Sequence, residues 1–421
     1  MEMQKNQFKL SIWYDNEWSY ANKVMLLLNH MIRHNAENSK EYEKKFFLAN
    51  KEVVDKGVVL RLDWNVPTEG HVVQDFFRME STVKTINAIL AKDPKYILIV
   101  SHLGRPKGRD ENLSFAHLME QINGKLGPQI GDRTVRLLSS GISEETKTTL
   151  DSCLPQSIFL LDNIRFYTEE TKKCDTFNDV RDTYLSLGDV FINDAFACSH
   201  RDHLSITAPM KSDWGYGYLI QKEVNCLSGV TRNINNEKVL AIMGGAKMDD
   251  KLPLLETLSR KVDGIYIAGG NINSILKEPS YMTFFEKLKR SGKAKVYLMM
   301  DGLSSDSLNG TPGYQLTGDL AENQSFFDIG MQSIVHLTQL IDEYDAIFWN
   351  GTLGVVESPL YKHGSTALVN TLMQKNKKVI IGGGDTACFV NRFSHEFYYV
   401  STGGGASIDF LSNESLVGLP F

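Results

Sequence analysis

The chain has 421 residues, 42% hydrophobic and 23% charged, with a formal net charge of −6; this is the composition of an ordinary globular protein with room for two or three domains. That balance excludes wholesale nucleic-acid binding, so any anionic ligand must be held by a local basic cluster. Five scattered cysteines (Cys153, Cys174, Cys198, Cys226, Cys388), with no C-x-x-C spacing, exclude a disulfide framework and a cysteine-built zinc site, and no apolar run reaches membrane-spanning length.

In chain order, the N-terminus shows no signal-peptide pattern, because Asp, Asn, Glu and Lys break its apolar residues. Reduced thiols and the absence of a leader pattern predict a cytoplasmic protein. Residues 8–32 carry Val24, Leu27, Leu28 and Met31 on one helical face, and 33–45 are polar and linker-like. Short Val/Ile/Leu-rich runs then recur as "GVVLRLDWN", "YILIVSH", "SIFLLDN" and "VFINDAF", separated by helical spacing such as "MESTVKTINAIL". The stretch 216–230, "YGYLIQKEVNCLSGV", predicts a connecting helix. Beyond it come "KVLAIMGG", "GIYIAGG", "KVYLMMD", "AIFWNG", "KVIIGGG" and "FYYVSTGGG". Continuous apolar strands alternating with helices predict an α/β protein with parallel sheets covered on both faces, where ligands bind at the carboxyl ends of strands. Those ends carry Asp63, Asn65, His102, Arg105, Arg165, Asn193, Asp194, His200 and Arg201 in the first half. In the second half they carry glycines, Lys247, Lys251, Asn350, Glu357, Asp385 and Thr386. The expectation is two Rossmann-like parallel-sheet domains joined by a hinge helix and facing a cleft, one side basic and the other glycine-rich.

"SHLGRPKGR" (101–109) offers His102 and Arg105, which suit a carboxylate or phosphate because guanidinium is a fixed bidentate donor; read alone, the same string is equally a solvated loop. "LLDNIRFY" presents Arg165 in the same way, and "NDAFACSHRDH" sets Arg201 between His200 and His203. That last spacing is a poor zinc site, since the intervening cation repels a metal. "IIGGGDTACF" and "STGGGAS" are strand–glycine–helix junctions, where missing side chains let phosphate oxygens reach backbone N–H groups. Asp385 there suits Mg²⁺ through oxygen, or a helix N-cap, and the two roles are compatible. Gly382, Gly384 and Ala387 also fit G-x-G-x-x-A, but the next strand ends in Ser401-Thr402-Gly403, not in an acidic residue. Lys247 and Lys251 stand four residues apart, on one face of any helix starting there, an arrangement suited to a polyphosphate.

Read together, "RLDWNVP", "SHLGRP", "NIRF", "NDAF…SHRDH", "GGAKMDDK", "WNG", "GGGDTA" and "STGGGAS" resemble the phosphoglycerate kinases, in family order, from about residue 46 to 418. The resemblance implies reversible phosphoryl transfer between 1,3-bisphosphoglycerate and Mg·ADP, giving 3-phosphoglycerate and Mg·ATP, in a hinge-bending cytoplasmic monomer without nucleic-acid or membrane partners. It implies that Asp63, Asn65, Arg78, His102, Arg105, Arg165 and Arg201 bind the glycerate. Arg78 and Lys247 would serve the transferring phosphoryl. Lys251, Gly270, Asn350, Glu357, Gly383, Gly384, Asp385 and Thr386 would hold the nucleotide, with Asp385 linked to Mg²⁺. The implied divisions are a glycerate domain at 45–215, a hinge helix at 216–230, a nucleotide domain at 231–402 and a segment 403–421 returning to the first domain. An acyl phosphate is already reactive, so the chemistry requires no general base. The rival reading is a kinase-like ligand-binding scaffold or regulator with little turnover. A dinucleotide oxidoreductase rests on the single glycine match.

The chain departs from the family pattern on the adenine side. "WNGTLG" puts Thr352 where the family has proline, and "AGGNIN" puts Asn271 and Asn273 where it is apolar; both changes predict weaker discrimination between bases. "FKLSIWYDNEWSYANKVMLLLNHMI" (8–32) resembles the C-terminal end of glyceraldehyde-3-phosphate dehydrogenases. Residues 1–44 are therefore expected to be a remnant without dehydrogenase activity, since they hold neither a glycine fingerprint nor a cysteine.

Overall fold

The computed structural model describes residues 45–231, 237–246, 248–394, 396–413 and 415–419, together with a short backbone pairing of Met3–Gln4 with Gln7–Phe8. The dehydrogenase-like helix face and Lys247 lie outside the described residues.

The first sheet has strands β1 (Gly57–Arg61), β2 (Tyr96–Val100), β3 (Val135–Leu138), β4 (Ser157–Leu161), β5 (Val190–Asn193) and β6 (Trp214–Tyr216). Its spatial order is β6-β5-β1-β2-β4-β3 and every pairing is parallel. The sheet's central strands are buried along their whole length. Alternate residues feed two cores. Val58, Leu60, Ile97, Ile99, Ile158 and Ile192 pack on one face, and Val59, Leu98, Val100, Phe159, Leu161 and Phe191 on the other. This is why the strands read as unbroken apolar runs: period-two side chains have an apolar layer to enter on either side.

The second sheet repeats the plan with β7 (Val239–Met243), β8 (Gly264–Ile267), β9 (Lys295–Leu298), β13 (Ala346–Asn350), β14 (Lys378–Gly382) and β15 (Tyr399–Val400), ordered β9-β8-β7-β13-β14-β15 and all parallel. Between β9 and β13 the chain adds a small antiparallel sheet of β10 (Asp301–Ser305), β11 (Gly313–Leu316) and β12 (Ser325–Ile329), ordered β11-β10-β12. "KVYLMMD" is thus not one strand. It leaves the parallel sheet at Leu298 and enters the antiparallel one at Asp301.

Helix α1 (Val83–Leu90) covers the first sheet, and α2 (Tyr218–Thr231) is the connecting helix. The helix starts two residues later than the sequence predicts, because Trp214–Tyr216 is captured as a sheet strand. Its first turn is fixed by Asp194, at the end of β5. Asp194 accepts the backbone N–H of Ile220 (2.9 Å) and the Thr85 hydroxyl, and that hydroxyl accepts the N–H of Tyr218 (3.0 Å). One turn on, the buried Glu223 accepts the Ser401 hydroxyl (2.8 Å) and the Thr402 N–H (2.7 Å). The helix therefore bonds to strand ends of both sheets. The C-terminal stretch also touches both halves: Phe410 meets Phe196 at 6.1 Å and the Gly418 N–H bonds to the Ser199 carbonyl at 2.8 Å, while the Thr257 hydroxyl donates to the Ser412 carbonyl at 3.3 Å.

Burial pushes the Asp194 carboxyl up to about 7. The unfolded chain ionises near the ordinary aspartate value of about 3.9. Between these values the folded protein keeps a proton that the unfolded chain has lost. Stability therefore falls as pH rises through that window and is level above it. Asp194→Asn keeps a carbonyl for Ile220 and removes the titration. Its urea-unfolding free energy should gain on the wild type between about pH 4 and about pH 7. A constant difference between the two proteins across that range would show that Asp194 does not titrate there.

Candidate active site

The register of each sheet brings the sequence-predicted residues together. Arg61 lies opposite Val100 and Asn193, and Val100 opposite Leu161, so β1, β2, β4 and β5 end at one level. The residues immediately beyond them, Asp63, His102, Arg165 and Asp194, must then share one edge of the sheet. Asp63 pairs with Arg78, and its other oxygen accepts the Asn65 N–H at 3.1 Å. Asn65 in turn accepts the Gly104 N–H (2.8 Å), while a terminal nitrogen of Arg165 donates to the Gly104 carbonyl (2.7 Å). Asn163 braces this loop by donating to the carbonyls of Leu103 (2.7 Å) and Leu113 (2.9 Å). Arg105, Lys107, Arg165, Tyr167, Lys172 and Arg201 line a cavity of about 580 Å³ beside it. Arg165 is 9% exposed and its Nε is buried without a partner, an unmet donor in a residue that lines the cavity. His102 is held well below the ordinary histidine pKa, first by burial and then by the guanidinium groups of Arg61, Arg165 and Arg78, so the ring is neutral.

Several members of this cluster escaped the motif reading. Arg61 sits inside a buried strand, Glu170 is 1% exposed beneath the Arg165 loop, and Ser205 joins them. Their sequence signal is a charge inside an otherwise apolar run, "VVLRL", which requires a buried partner. Asp63, His102 and Cys198 present donor atoms within 4.8 Å of one another. A terminal nitrogen of Arg61 stands against two of those donors, at 3.4 Å from His102 and 3.7 Å from Cys198. A cation already faces that spot, which disfavours a metal there.

In the second half the glycine junctions form one interlocked frame. Met243, Asn350 and Gly382 lie opposite one another, so β7, β13 and β14 also end level. The Gly244 N–H bonds to the Asn350 carbonyl (2.9 Å), and the Gly245 N–H to the Thr352 carbonyl (2.7 Å). The Gly351 N–H bonds to the Thr386 hydroxyl (2.8 Å). The Gly244 carbonyl receives both the Lys251 ammonium and the Asn271 amide, the latter at 2.8 Å. Asn350 is 3% exposed with an unpartnered Nδ2, which lies beside Gly382 and Gly383. Gly383 takes φ +89°, a conformation that favours glycine, and turns the chain into the helix Gly384–Val390 carrying Asp385 and Thr386. Asp385 and Glu357 are exposed, and neither takes part in the bonds that lock the frame. Gly270 packs against Ala246, next to the position of Lys247.

The two unusual asparagines serve the frame. The Asn273 amide makes a reciprocal pair with the backbone of Phe326 (2.9 and 2.8 Å), which fixes its orientation. Asn271 ties Gly244 and Gly245 through its amide and its N–H, and its Oδ1 is buried without a partner.

Comparison with known proteins gives the family and the fold. The phosphoglycerate kinase family model matches residues 48–414. The phosphoglycerate kinase of Plasmodium falciparum is 31% identical over 405 residues, covering 88% of this chain and 96% of that protein. That of Candida glabrata is 31% identical over 412 residues, covering 90% and 98%. The solved structure of the Coxiella burnetii phosphoglycerate kinase superposes with a TM-score of 0.74 at 27% identity, over 88% of this chain and 97% of that one. The Pyrococcus horikoshii structure shares the fold with a TM-score of 0.74 at 20% identity, over 89% and 97%.

Proposed function

The chain belongs to the phosphoglycerate kinase family, and on that premise we propose how its two glycine- and arginine-bearing edges divide the reaction. The activity is reversible transfer of a phosphoryl group between 1,3-bisphosphoglycerate and ADP, giving 3-phosphoglycerate and ATP in glycolysis. Family membership and the named relatives support this enzyme over a non-catalytic scaffold.

On this reading residues 45–215 bind the glycerate. His102, Arg105, Arg165 and Arg201 take its 3-phosphate and carboxylate, while Asp63 and Asn65 orient the hydroxyl and carboxylate end. Arg78, held by Asp63, is placed to meet the acyl phosphate. Residues 231–402 bind the nucleotide through Lys251, Gly270, Asn350, Glu357, Gly383, Gly384 and Thr386, and Lys247 stabilises the phosphoryl in flight. The helix within 216–230 is the hinge, and 403–421 returns to the first domain. Residues 1–44 supply no group to this scheme. The enzyme is taken to act as a cytoplasmic monomer.

Mg²⁺ fits the donor set. Asp385 is an exposed carboxylate beside glycines, and Mg²⁺ is bound by one or two carboxylates plus waters and substrate phosphates. When bound it would neutralise charge on the nucleotide phosphates. Asp385 would hold it, and the backbone of Gly383 and Gly384 would orient the phosphates.

The observation that carries the reading is the basic cavity at one sheet edge, with the unpartnered Arg165 Nε beside it. Arg165→Ala should raise the KM for 3-phosphoglycerate by about tenfold to a hundredfold, the scale of a lost charge-assisted bond, and leave that for ATP within about twofold. Calorimetry showing undiminished 3-phosphoglycerate binding by the variant would reject the assignment.

A further inference from the structure

Arg61 is a buried charge that this scheme does not use. It ends β1 and is 2% exposed. Its Nε donates to the Ser205 hydroxyl at 2.8 Å, and one terminal nitrogen donates to the Leu62 carbonyl. The other terminal nitrogen faces His102 Nδ1 at 3.4 Å. Glu170 balances the charge from 3.8 Å, and is itself fixed by the N–H (2.9 Å) and hydroxyl (2.8 Å) of Ser205. The guanidinium is thus held in one orientation.

A neutral imidazole has one N–H donor and one acceptor nitrogen, whereas arginine has donors only. The nitrogen that Arg61 faces must therefore be the acceptor. Two other groups surround Nδ1. The Cys198 sulfur, at 3.9 Å, carries a hydrogen that also seeks an acceptor, because burial pushes this thiol up to about 11. Asp63 Oδ1, at 3.8 Å, would favour the opposite tautomer, but it is beyond hydrogen-bond reach and already accepts the Asn65 N–H. His102 Nε2 makes no hydrogen bond within the described protein.

We propose that Arg61 is a positioning residue that locks His102 in its neutral Nε2–H tautomer, so that His102 offers a donor to the anionic three-carbon substrate. The proposal rests on the assignment of His102 to the glycerate site. A carboxylate or phosphate presents only acceptors. The other tautomer would turn a lone pair toward it and replace an attraction by a repulsion. Protonation would also supply a donor, but the ring is kept neutral by its burial and three neighbouring guanidinium groups. The buried arginine thus selects by hydrogen bonding what charge does not supply.

The test is long-range ¹H–¹⁵N correlation spectroscopy of the full chain with ¹⁵N-labelled histidine near neutral pH, with His102 assigned by its loss in His102→Gln. The expected spectrum has the proton on Nε2 and a bare Nδ1, unchanged in Cys198→Ala. Arg61→Met should give a mixture of tautomers and raise the KM for 3-phosphoglycerate about tenfold, with kcat and the KM for ATP within about threefold. Arg61→Lys, which restores a donor, should recover part of the loss. An Nδ1–H or imidazolium signal in the wild type overturns the proposal without any variant. A folded Arg61→Met enzyme that keeps the pure Nε2–H signal and its KM also overturns it. If His102→Gln leaves 3-phosphoglycerate binding intact, it is the site assignment that fails. If it weakens binding while the wild type shows the wrong tautomer, only the Arg61 proposal fails.

Discussion

Lys247→Ala is expected to lower kcat by about 10²–10³, the scale of one lost charge-stabilising donor at a transition state, with much smaller changes in KM for either substrate. Phosphoryl transfer passes through a loose transition state whose charge spreads over three equatorial oxygens, so catalysis is mostly positioning and electrostatics. The residues on each side of Lys247 are built for positioning. Before it, Gly244 and Gly245 are clamped to the Asn350 and Thr352 carbonyls, with Gly245 at φ +87°. After it, Lys251 returns its ammonium to the Gly244 carbonyl, which Asn271 also holds. Lys251 can therefore move to a phosphate without leaving that buried carbonyl unpaired. Coupled assays in both directions, with calorimetry for each substrate, separate the effects. A variant with near wild-type kcat would sink the assignment, and one with normal kcat but weak ADP binding would move Lys247 into the ground-state nucleotide site.

What could be read beforehand follows from which interactions are local. Strands such as Tyr96–Val100 announce themselves because both faces are buried, and the polar residues directly after them must then lie at a sheet edge. The arginines at 105, 165 and 201 needed only that rule. Charges whose partners lie far along the chain were not legible. Arg61 is balanced by Glu170, 109 positions away, and bonds to Ser205, 144 positions away. Asp301 is the same case. It follows an apolar run and looks like its polar end, yet it is fully buried, accepting the N–H (2.7 Å) and hydroxyl (2.6 Å) of Ser333. That capture, at the start of the helix Met331–Asp342, draws the chain out of the parallel sheet and into the antiparallel one. The place of the asparagines at 271 and 273 in the frame was not legible for a related reason: both amides bond to backbone that only the fold brings near.

Gly351→Ala should cost at least about 2–3 kcal/mol of stability and weaken ADP binding by more than about thirtyfold, while 3-phosphoglycerate binding survives. Gly351 sits at φ +91°, where an L side chain is strained. Space is the larger obstacle. An added Cβ would lie 2.3 Å from the Gly244 carbonyl oxygen and 2.9 Å from the Gly245 nitrogen. These are backbone atoms at the end of β7, so no flexible side chain can yield. The clash is reciprocal, since a Cβ on Gly244 would meet the carbonyl oxygens of Gly351 and Thr352 at 2.3 Å. The two glycines make a close backbone approach just beyond the paired ends of β7 and β13. Forcing them apart breaks the Gly245–Thr352 bond and shifts Gly351 from the Thr386 hydroxyl. The loop bearing Lys247 and the loop bearing Asp385 then lose their common reference, though neither residue has been altered. The arginine edge has its own sheet and its own cores, so glycerate binding should not follow. Calorimetric titration of each ligand, beside a urea melt, reads the two effects independently. Loss of both ligands together would mean that the substitution unfolds the whole chain, and retention of ADP affinity would mean that the glycine frame does not form the nucleotide site.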